Sequence, residues 1–323
     1  MIWLTWRQHR GEALTAVTVL AILGASLVAV GLPMHASFNH DIVQCIDGSV
    51  VDREVCSTNL AAFQKSYGFA TGILTLLNVL PFLAGALVGA PLLARELESG
   101  TWQLAWTQAV PRVRWLVVKV VALVTLTVVL AGAFAALITW FRQPLDAMYG
   151  RNGLDGFDVE GLVPMAYGLF AFALGTAAGA VLRRSIPALT LSLLAFVAVR
   201  VTVETVLRPR FQAPLTLVEN IEAGSRGIAI GTGNRTDWTL DEGFADASGQ
   251  RLARTDINSL DDAARDAGVN LATYMHDHGI QRWVDYHPAG RFWNFQYIEA
   301  GIFAGLTAIL LSAVIWRIKR RAL

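Results

Sequence analysis

The stretch "LVPMAYGLFAFALGTAAGAVLRRSIPALTLSLLAFVAVRVTVETVL", Leu162 to Leu207, contains two long apolar runs. An α-helix needs about 20 mainly apolar residues to cross the hydrocarbon core of a bilayer, and both runs are long enough. Only Arg183, Arg184 and Ser185 separate the runs, and Pro187 follows at once. The stretch therefore predicts two membrane-spanning helices joined by a tight turn.

The rest of the chain has the same character. Of its 323 residues, 54% are hydrophobic and only 16% are charged, which is far more apolar than a soluble domain can bury. Six apolar runs are long enough to span a membrane, so the predicted fold class is an all-α polytopic membrane protein with six transmembrane helices. The runs are Ala13–Leu32, Phe69–Leu93, Trp115–Phe141, Leu162–Leu182, Ile186–Leu207 and Tyr297–Trp316.

The distribution of basic residues predicts the orientation. Twelve Lys and Arg residues lie on the side that holds both termini, whereas the two short loops opposite hold four. The segment from Arg208 to Gln296 is not counted, because long loops cross regardless of charge. We therefore expect a multi-pass protein of the cell (plasma) membrane with both termini in the cytoplasm. The first run continues without a cleavage site, so it is predicted to be a retained span rather than a signal peptide.

Two Cys residues, Cys45 and Cys56, lie in the same short polar loop after the first span. The predicted orientation places this loop outside the cell, where a short disulfide can form. Two unpaired thiols are the alternative.

The long polar segment 208–296 predicts a small α+β extracellular domain between spans five and six. Within it, Ser259 is expected to cap a helix that Gly268 ends, and Ala272–Gly279 to form a second short helix. Asp237–Leu252 has turn residues between short apolar stretches, as in a β-hairpin. The predicted organisation is residues 1–207 for an N-terminal interfacial helix and spans one to five, 208–296 for the extracellular domain, and 297–323 for span six and a basic cytoplasmic tail.

The sequence offers little support for catalysis. His276 and His278 are two residues apart and diverge on a helix, which favours solvated surface side chains over a metal site. The chain contains no G-x-x-x-x-G-K-[ST] motif, so it cannot bind nucleotide in the P-loop manner. No acid/base constellation lies at membrane depth. We therefore expect no catalytic, metal or cofactor-binding residues in this chain.

Four residues inside the spans are unusual for lipid surroundings. Asn78 and Pro81 interrupt the second span, and Pro usually kinks a helix. Arg200 and Glu204 lie four residues apart in the fifth span and so on one helix face. Charges at such depth usually face each other or a cavity, which leaves two interpretations open. In the first, Arg200 and Glu204 form a mutually neutralising pair near the outer interface. In the second, Asn78, Pro81, Arg200 and Glu204 all belong to a substrate path or its gate.

Small residues recur at a spacing that brings helices close together. The motif G-x-x-x-G occurs at Gly85–Gly89, Gly175–Gly179 and Gly301–Gly305. It lets helix backbones approach each other and predicts a compact bundle, with a dimer seam as a further option.

The cytoplasmic insert between spans two and three, residues 94–114, is unusually patterned. Its apolar residues recur at i, i+3, i+4 and i+7 and predict a short helix lying along the membrane face. Leu104 points away from this stripe, and with the acids Glu96 and Glu98 it suits docking to another protein. The alternative is an interfacial helix that binds no other protein. The stripe comprises Trp102, Ala105, Trp106 and Ala109, and Pro111 ends the helix.

These residues resemble a known family. "RELESGT" followed by "W-x-L-A-W-T-Q-A-V-P-R-x-R-W-L-x-x-K" is similar to the segment between spans two and three of permeases in the type-2 ATP-binding-cassette (ABC) exporter family, especially actinobacterial members. "HPAGRFWNFQYIE", before the last span, is similar to theirs too. The resemblance implies two permease copies paired with two copies of a separate ATPase, which would hold ATP and Mg. The insert would match the coupling helix, with the ATPase docking on Glu96, Glu98, Thr101, Trp102, Leu104 and Trp106.

The function predicted on this basis is the membrane half of an ATP-driven exporter for an amphiphilic small molecule, a peptide or a lipid. Its expected partners are a cytoplasmic ABC ATPase, a second copy of the permease and membrane lipid, with no nucleic acid. A non-transporting receptor or immunity protein, whose extracellular domain binds a ligand, is the rival interpretation.

Overall fold

The computed structural model describes residues 2–46, 52–98, 112–152, 156–225, 231–234 and 236–320. It is mostly helical, and six of its helical segments are long and apolar enough to cross a membrane. The predicted fold class is confirmed. The chain divides into two compact units. The membrane unit comprises Met1–Asp146, Leu154–Arg208 and Trp293–Leu323, and the α+β unit comprises Ala147–Gly153 and Pro209–Phe292.

All six predicted spans coincide with candidate membrane-crossing segments. These segments are Leu14–Ile46, Phe69–Arg95, Leu116–Tyr149, Val163–Leu182, Ser185–Arg210 and Ala289–Arg320. Their helices are α1 (Ile2–Ser37), α4 (Phe69–Leu77) with α5 (Leu80–Glu98), α6 (Arg112–Tyr149), α7 (Val163–Leu182), α8 (Ser185–Thr202) and α11 (Phe292–Arg320).

Two helices extend well past their apolar runs. Helix α1 is continuous from Ile2, so the stretch predicted to be a separate interfacial helix is its first part. Helix α6 continues past Phe141 to Tyr149. Arg142 and Asp146 stand four residues apart in this extension and form a salt bridge at 3.0 Å, which supports the helical backbone.

The second span is interrupted where the sequence predicts a kink. Helix α4 ends at Leu77 and α5 begins at Leu80, which leaves Asn78 and Val79 in a turn. Pro81 lies in the first turn of α5, where its missing N–H removes a helical hydrogen bond to the preceding turn. The turn places Asn78 inside the unit, with 7% of its surface exposed.

Two of the three G-x-x-x-G motifs bring α5 and α7 into close contact. A Cβ atom added to Gly85 would lie 2.1 Å from the carbonyl oxygen of Gly168, and one added to Gly175 would lie 2.6 Å from the backbone nitrogen of Ala90. The backbones therefore pack at a distance that only Gly permits. Around Gly301 and Gly305 no such contact lies within 4 Å.

The tight turn between spans four and five is confirmed. Helix α7 ends at Leu182, Arg183 adopts the left-handed conformation with φ of 55°, and α8 begins at Ser185. The backbone N–H of Arg183 bonds to the carbonyl of Gly179 and closes the end of α7.

After α1, the chain continues through a π-helical turn (Phe38–Ile42), α2 (Val43–Ile46) and, beyond residues 47–51, α3 (Arg53–Tyr67). Asp52 caps α3 by accepting hydrogen bonds from the backbone N–H groups of Glu54 and Val55. Cys45 and Cys56 form a disulfide between α2 and α3 with a Cα–Cα distance of 5.5 Å.

The α+β unit contains a three-stranded antiparallel sheet in the order β1 (Leu215–Asn220), β3 (Gln281–His287), β2 (Trp238–Ala245). The chain reverses within Asp237–Leu252 as predicted, but the hairpin is short. A bridge joins Ala245 and Arg251, and the N–H groups of Leu252 and Asp246 bond to the carbonyls of Phe244 and Gln250 at 2.8 and 3.0 Å. The longer pairing of β2 is with β3, about 40 residues on. The reason is burial, since most β3 residues are buried and the segment after Ala245 is largely exposed.

Two helices, α9 (Arg254–Asp266) and α10 (Leu271–Asp277), pack in the same unit. The prediction that Ser259 caps α9 is wrong. The helix begins five residues earlier, where the Asp256 carboxylate accepts a hydrogen bond from the Ala253 backbone N–H at 2.9 Å. Ser259 instead donates to the Asp256 carbonyl. The predicted stop at Gly268 is confirmed, because this residue has φ of +68° just after α9 ends. The predicted second helix is confirmed as α10.

Candidate functional site: a buried charge cluster

The membrane unit contains a cluster of charged and polar side chains that four of its spans share. Its members come from spans two, four, five and six and from the turn that precedes span four. We call it the Asp158 cluster. Its members are Asn78, Asp158, Tyr167, Arg200, Glu204, Arg208 and Glu299.

Asp158 is the centre of the cluster and is completely buried. Its Oδ1 accepts hydrogen bonds from Arg208 Nη2 at 2.5 Å and faces the Tyr167 hydroxyl at 3.0 Å. Its Oδ2 accepts from Arg200 Nη2 at 2.7 Å and from Asn78 Nδ2 at 3.5 Å. One carboxylate thus joins spans two, four and five.

Arg208 and Glu299 form the second part of the cluster. Arg208 donates from Nε to Glu299 Oε2 and from Nη2 to Glu299 Oε1, both at 2.8 Å, which is the two-bond arrangement that suits these groups. Glu299 Oε1 also accepts from the Tyr167 hydroxyl at 2.5 Å. The Arg208 guanidinium covers the ring of Phe157 at 4.2 Å. Both charges are shielded from solvent, since Arg208 is 2% exposed and Glu299 is fully buried.

The turn at residues 156–162, just before α7, positions Asp158 next to its partners. Gln296 of α11 fixes this turn, donating from Nε2 to the carbonyl of Phe157 at 2.7 Å. Its Oε1 accepts from the backbone N–H groups of Leu162 and Val163 at 2.9 and 3.0 Å. These two N–H groups begin α7 and have no partner within that helix, so Gln296 satisfies them. One buried amide therefore sets both the turn and the start of α7.

A neighbouring pair strengthens the same turn. Arg142 of α6 is fully buried and donates from Nε to Glu160 at 2.7 Å and to Asp146 at 3.1 Å. Asp158 and Glu160 thus stand two residues apart and engage different arginines. The turn is tied to α6 by one carboxylate and to α8 by the other.

Aromatic rings pack beside the charges. Phe82 stacks on Phe196 with ring centroids 4.4 Å apart, and Tyr167 meets Phe196 and Phe303 at 5.6 and 4.8 Å. The Tyr167 hydroxyl therefore lies in the cluster while its ring belongs to an apolar core. Polar interactions next to such a core are strengthened by the low local dielectric.

The charges in the cluster do not balance. Three carboxylates, on Asp158, Glu204 and Glu299, meet two guanidinium groups, on Arg200 and Arg208. Glu204 is the carboxylate with the weakest contact, since its Oε2 lies 3.8 Å from Arg200 Nη2, beyond hydrogen-bonding distance. Within the cluster, Asn78 Oδ1 and Arg200 Nε are buried and have no hydrogen-bond partner among the residues that the structure describes.

The structure brings together three of the four residues that the sequence singles out in the spans. Asn78 and Arg200 meet on Asp158, and Glu204 stands beside Arg200, so Arg200 pairs more closely with Asp158 than with Glu204. Pro81 lies at the break of span two, three residues from Asn78.

Sequence reasoning missed the centre of the cluster. Asp158 and Glu160 stand in a Gly-rich loop that reads as solvent-exposed, and Glu299 stands in an aromatic-rich stretch that reads as an interface marker. Arg208 stands at the edge of the predicted polar domain. The available signal was that Arg208 borders an apolar run and Glu299 lies at the start of one, but no sequence rule pairs Arg208 with Asp158 or Glu299 across separations of 50 and 91 residues.

At the other end of α8, the structure describes only the beginning of the predicted docking insert. Residues 99–111 lie outside the described residues, with Thr101, Trp102, Leu104 and Trp106 among them, and so does the side chain of Glu96. Glu98 is exposed, and its Oε2 accepts hydrogen bonds from Ser185 N at 3.4 Å and Ser185 Oγ at 3.2 Å. Arg184, which precedes α8, makes no side-chain cap bond, so Glu98 acts as the cap of this helix.

The histidines of the α+β unit have local partners. His276 Nδ1 lies 2.8 Å from the carbonyl of Ile221, and His278 Nδ1 lies 2.7 Å from that of Tyr274. Among the described residues, no group of three or more His, Cys, Asp or Glu is arranged to hold a metal ion.

His287 occupies a site that selects its neutral form. Arg291 Nη1 donates to His287 Nδ1 at 2.8 Å, and since Arg cannot accept, the ring proton must sit on Nε2, which bonds to the Pro209 carbonyl at 3.0 Å. Burial lowers the pKa of His287, and the charge of Arg291 lowers it further.

Asp285 of β3 is held in its charged form. Burial opposes its ionisation, but hydrogen bonds from Arg251 and Thr216 outweigh this and lower its pKa. Arg251 donates to Asp285 at 2.8 and 3.0 Å and covers the Trp283 ring at 3.6 Å, which fixes the pair on the sheet.

The chain matches the model of a known protein family. The family model described as ABC-2 membrane transporter related matches residues 17–208, which is more than half of the chain and includes five of the six spans. Neither the comparison with curated proteins nor the comparison with solved structures gave a match.

Proposed function

Because the chain belongs to the ABC-2 membrane transporter related family and is a multi-pass permease of that type, we propose that it is the membrane-spanning subunit of an ATP-driven exporter. Its cargo is an amphiphilic small molecule, peptide or lipid that leaves the cytoplasm. The family match over residues 17–208 carries this proposal. The resemblance to actinobacterial members stays a prediction.

The energy comes from a separate cytoplasmic ATPase that binds ATP and Mg. The absence of a G-x-x-x-x-G-K-[ST] motif from the sequence supports a separate subunit. The docking surface is the insert 94–114, through Glu96, Thr101, Trp102, Leu104 and Trp106.

Glu98 has a different part in this proposal. Its carboxylate caps α8 through Ser185, so a displacement of the insert reaches the start of span five directly. The far end of the same span carries Arg200 and Arg208, which hold Asp158. Span five therefore transmits a displacement of the ATPase to the Asp158 cluster. The cluster in turn opens and closes the substrate path.

The remaining features follow from this arrangement. The permease works as a homodimer in the cell membrane, with both termini in the cytoplasm and the α+β unit outside. Lipid contacts its exposed apolar helix faces. The disulfide between Cys45 and Cys56 supports this orientation, because disulfides persist in oxidising compartments.

Co-purification tests the partner. The chain is expressed with an ABC ATPase encoded beside it, and the complex is captured through the permease in detergent. We expect the ATPase to be retained by the wild-type protein and lost when Leu104 is replaced by Asp. The matched control is Leu215→Asp, which makes the same change on an exposed edge strand. Leu194→Asp is unsuitable because it places a charge in a membrane span. Failure of the wild-type protein to retain the ATPase contradicts the proposal.

A separate readout distinguishes transport from reception. An ATP-driven exporter lowers the cellular accumulation of its cargo, and this effect disappears when the ATPase is inactivated. A receptor or immunity protein protects the cell without ATP-dependent flux.

A further inference from the structure

We propose that Glu204 and Asn78 form the recognition site for the ammonium group of a cationic amphiphile, whose alkyl chain lies along an exposed face of span five. The inference names the cargo class of the proposed permease and so rests on that function. It starts from the acceptors that the Asp158 cluster leaves without donors.

The first observation is the surplus carboxylate. Asp158 and Glu299 each accept short hydrogen bonds from arginine, whereas Glu204 has only the 3.8 Å contact to Arg200. Its side chain is 16% exposed, so it is half-buried at the edge of the cluster and open on one side. When Glu204 is ionised, the site has one negative charge more than it has positive charges, and such a charge in low dielectric attracts a cation.

The second observation is independent of the charges. Asn78 is 7% exposed, and its Nδ2 donates to Asp158 Oδ2, the same oxygen that Arg200 occupies. With Nδ2 turned toward Asp158, the carbonyl oxygen Oδ1 is buried and has no donor among the described residues. A buried amide oxygen without a partner is costly, so it indicates a site that another group completes.

A protonated amine carries the groups that these two acceptors lack. It supplies three N–H donors and one positive charge, which match the Glu204 carboxylate and Asn78 Oδ1. Arg200 Nε is a further buried atom of the cluster that has no hydrogen-bond partner among the described residues. A carboxylate or phosphate ligand would face the surplus negative charge and is disfavoured.

The surface next to Glu204 suits an alkyl chain. Leu194, Val197 and Val201 are exposed by 66%, 46% and 46%, and with Glu204 they follow the spacing i, i+3, i+7 and i+10. They form an apolar stripe on one side of the helix that leads to the carboxylate. The backbone around Glu204 is a π-helical turn, Val203–Leu207, a geometry that often marks functional positions in helices.

Binding of simple amphiphiles to the full-length permease tests the site without the ATPase. The protein is reconstituted in phosphatidylcholine nanodiscs, and dodecylamine, dodecanol and dodecanoate are titrated by calorimetry, with empty nanodiscs subtracted. We expect dodecylamine to bind tightest. Equal binding of dodecanol would show that the alkyl chain alone is recognised, and tighter binding of dodecanoate would show an anion site; either result overturns the proposal.

Variants locate the site. Glu204→Gln should weaken dodecylamine binding about tenfold or more, the effect of losing a charged hydrogen bond, while Glu204→Asp keeps part of the affinity. Glu222→Gln, an exposed carboxylate of the α+β unit, should leave the affinity unchanged. Asn78→Ala is the second variant, because it removes the other acceptor without altering span five. Wild-type affinity in both Glu204→Gln and Asn78→Ala contradicts the site.

Changing the lipid composition distinguishes two sources of the amine, a lipid headgroup and a single-chain amphiphile. If adding phosphatidylethanolamine to the nanodiscs weakens dodecylamine binding, the lipid headgroup competes for the site and membrane lipid is its occupant. If the affinity is unchanged, the site selects single-chain cationic amphiphiles. Binding in this assay does not depend on the ATPase, so loss of ATP-driven flux with retained binding would contradict the exporter function alone.

Discussion

Glu98, the last residue of α5, accepts two hydrogen bonds from Ser185, the first residue of α8, at 3.4 Å from the backbone N–H and 3.2 Å from the hydroxyl. The contact links the start of the predicted docking insert to span five. Since Arg184 provides no side-chain cap, the start of α8 depends on Glu98 for this interaction.

Replacement of Glu98 by Ala should therefore affect both stability and coupling. A lost helix cap lowers the free energy of unfolding by about 1 kcal/mol. Ser185→Ala should have a similar effect, and the double variant should cost less than the sum of the two because the residues act on each other. Denaturant titration in detergent measures the cycle. Full additivity would contradict a direct link between Glu98 and Ser185.

The pair of Arg208 and Glu299 should dominate the stability of the membrane unit. Glu299→Gln leaves the buried Arg208 with reduced compensation, and loss of one partner in a buried pair typically costs about 3–5 kcal/mol. We expect a large fall in the unfolding midpoint in detergent. The control is Arg265→Gln on the exposed surface of α9, whose ion pairs should contribute little. A Glu299→Gln protein as stable as the control would refute the importance of this pair.

Helix contact through Gly85 should be sensitive to a single methyl group. Gly85→Ala places a Cβ against the Gly168 carbonyl of α7 and forces the helices apart, whereas Gly301→Ala meets nothing within 4 Å. Both changes add the same group to an apolar helix, which makes Gly301→Ala the matched control. We expect loss of folded protein in size-exclusion chromatography only for Gly85→Ala. If Gly301→Ala were the more harmful change, its face of α11 would be in contact with another chain.

Acid should weaken the α+β unit through His287. The folded pKa of this residue is lowered by burial, so the unfolded chain binds the proton more readily. The stabilisation is complete above the unfolded pKa of about 6.5 and is lost as the pH falls through the lower folded pKa. Asp285, whose pKa is also lowered, adds a further loss below about pH 3.9.

Hydrogen exchange of β3 peptides, corrected for the intrinsic pH effect, measures this dependence in the full-length protein. Protection should decrease on acidification below pH 6.5 in the wild type, and His287→Gln should flatten the response. His278→Gln, on the exposed end of α10, should retain it. Protection that increases on acidification would contradict the predicted loss of stability in acid.

Which features the sequence predicts depends on how far apart along the chain the interacting residues lie. Apolar length alone gives the six spans, and local chemistry gives the turn at Arg183 and the helix stop at Gly268. The hairpin after Trp238 forms only a short pairing, because β2 pairs over its length with β3, where burial is greater than in the neighbouring segment. Local rules cannot detect such a distant partner.

The candidate site shows the same limit. Arg200 and Glu204 are recognisable because they interrupt an apolar run at helical spacing. Asp158 is not recognisable, since its partners Arg200, Arg208 and Asn78 lie 42 to 80 residues away and its own segment looks like a solvated loop. Only the packing of four spans converts this loop residue into the buried centre of a cluster.

The disulfide offers a test of orientation. Cys45 and Cys56 enclose a short loop, whose closure is worth about 3 kcal/mol in the chain-entropy account. The cysteines should become reactive in intact cells toward a membrane-impermeant maleimide only after an impermeant reductant is added from outside. Labelling that requires permeabilised cells would place this loop in the cytoplasm and reverse the proposed topology.

The most direct test of the exporter account is ATP-dependent flux in proteoliposomes that contain the permease and its ABC ATPase, with a fluorescent cationic amphiphile as probe. The account predicts ATP-dependent movement of the probe that stops when the P-loop Lys of the ATPase is replaced, and that slows for Glu98→Ala although the ATPase remains bound. Movement that is the same with and without ATP, or with the inactive ATPase, would contradict it.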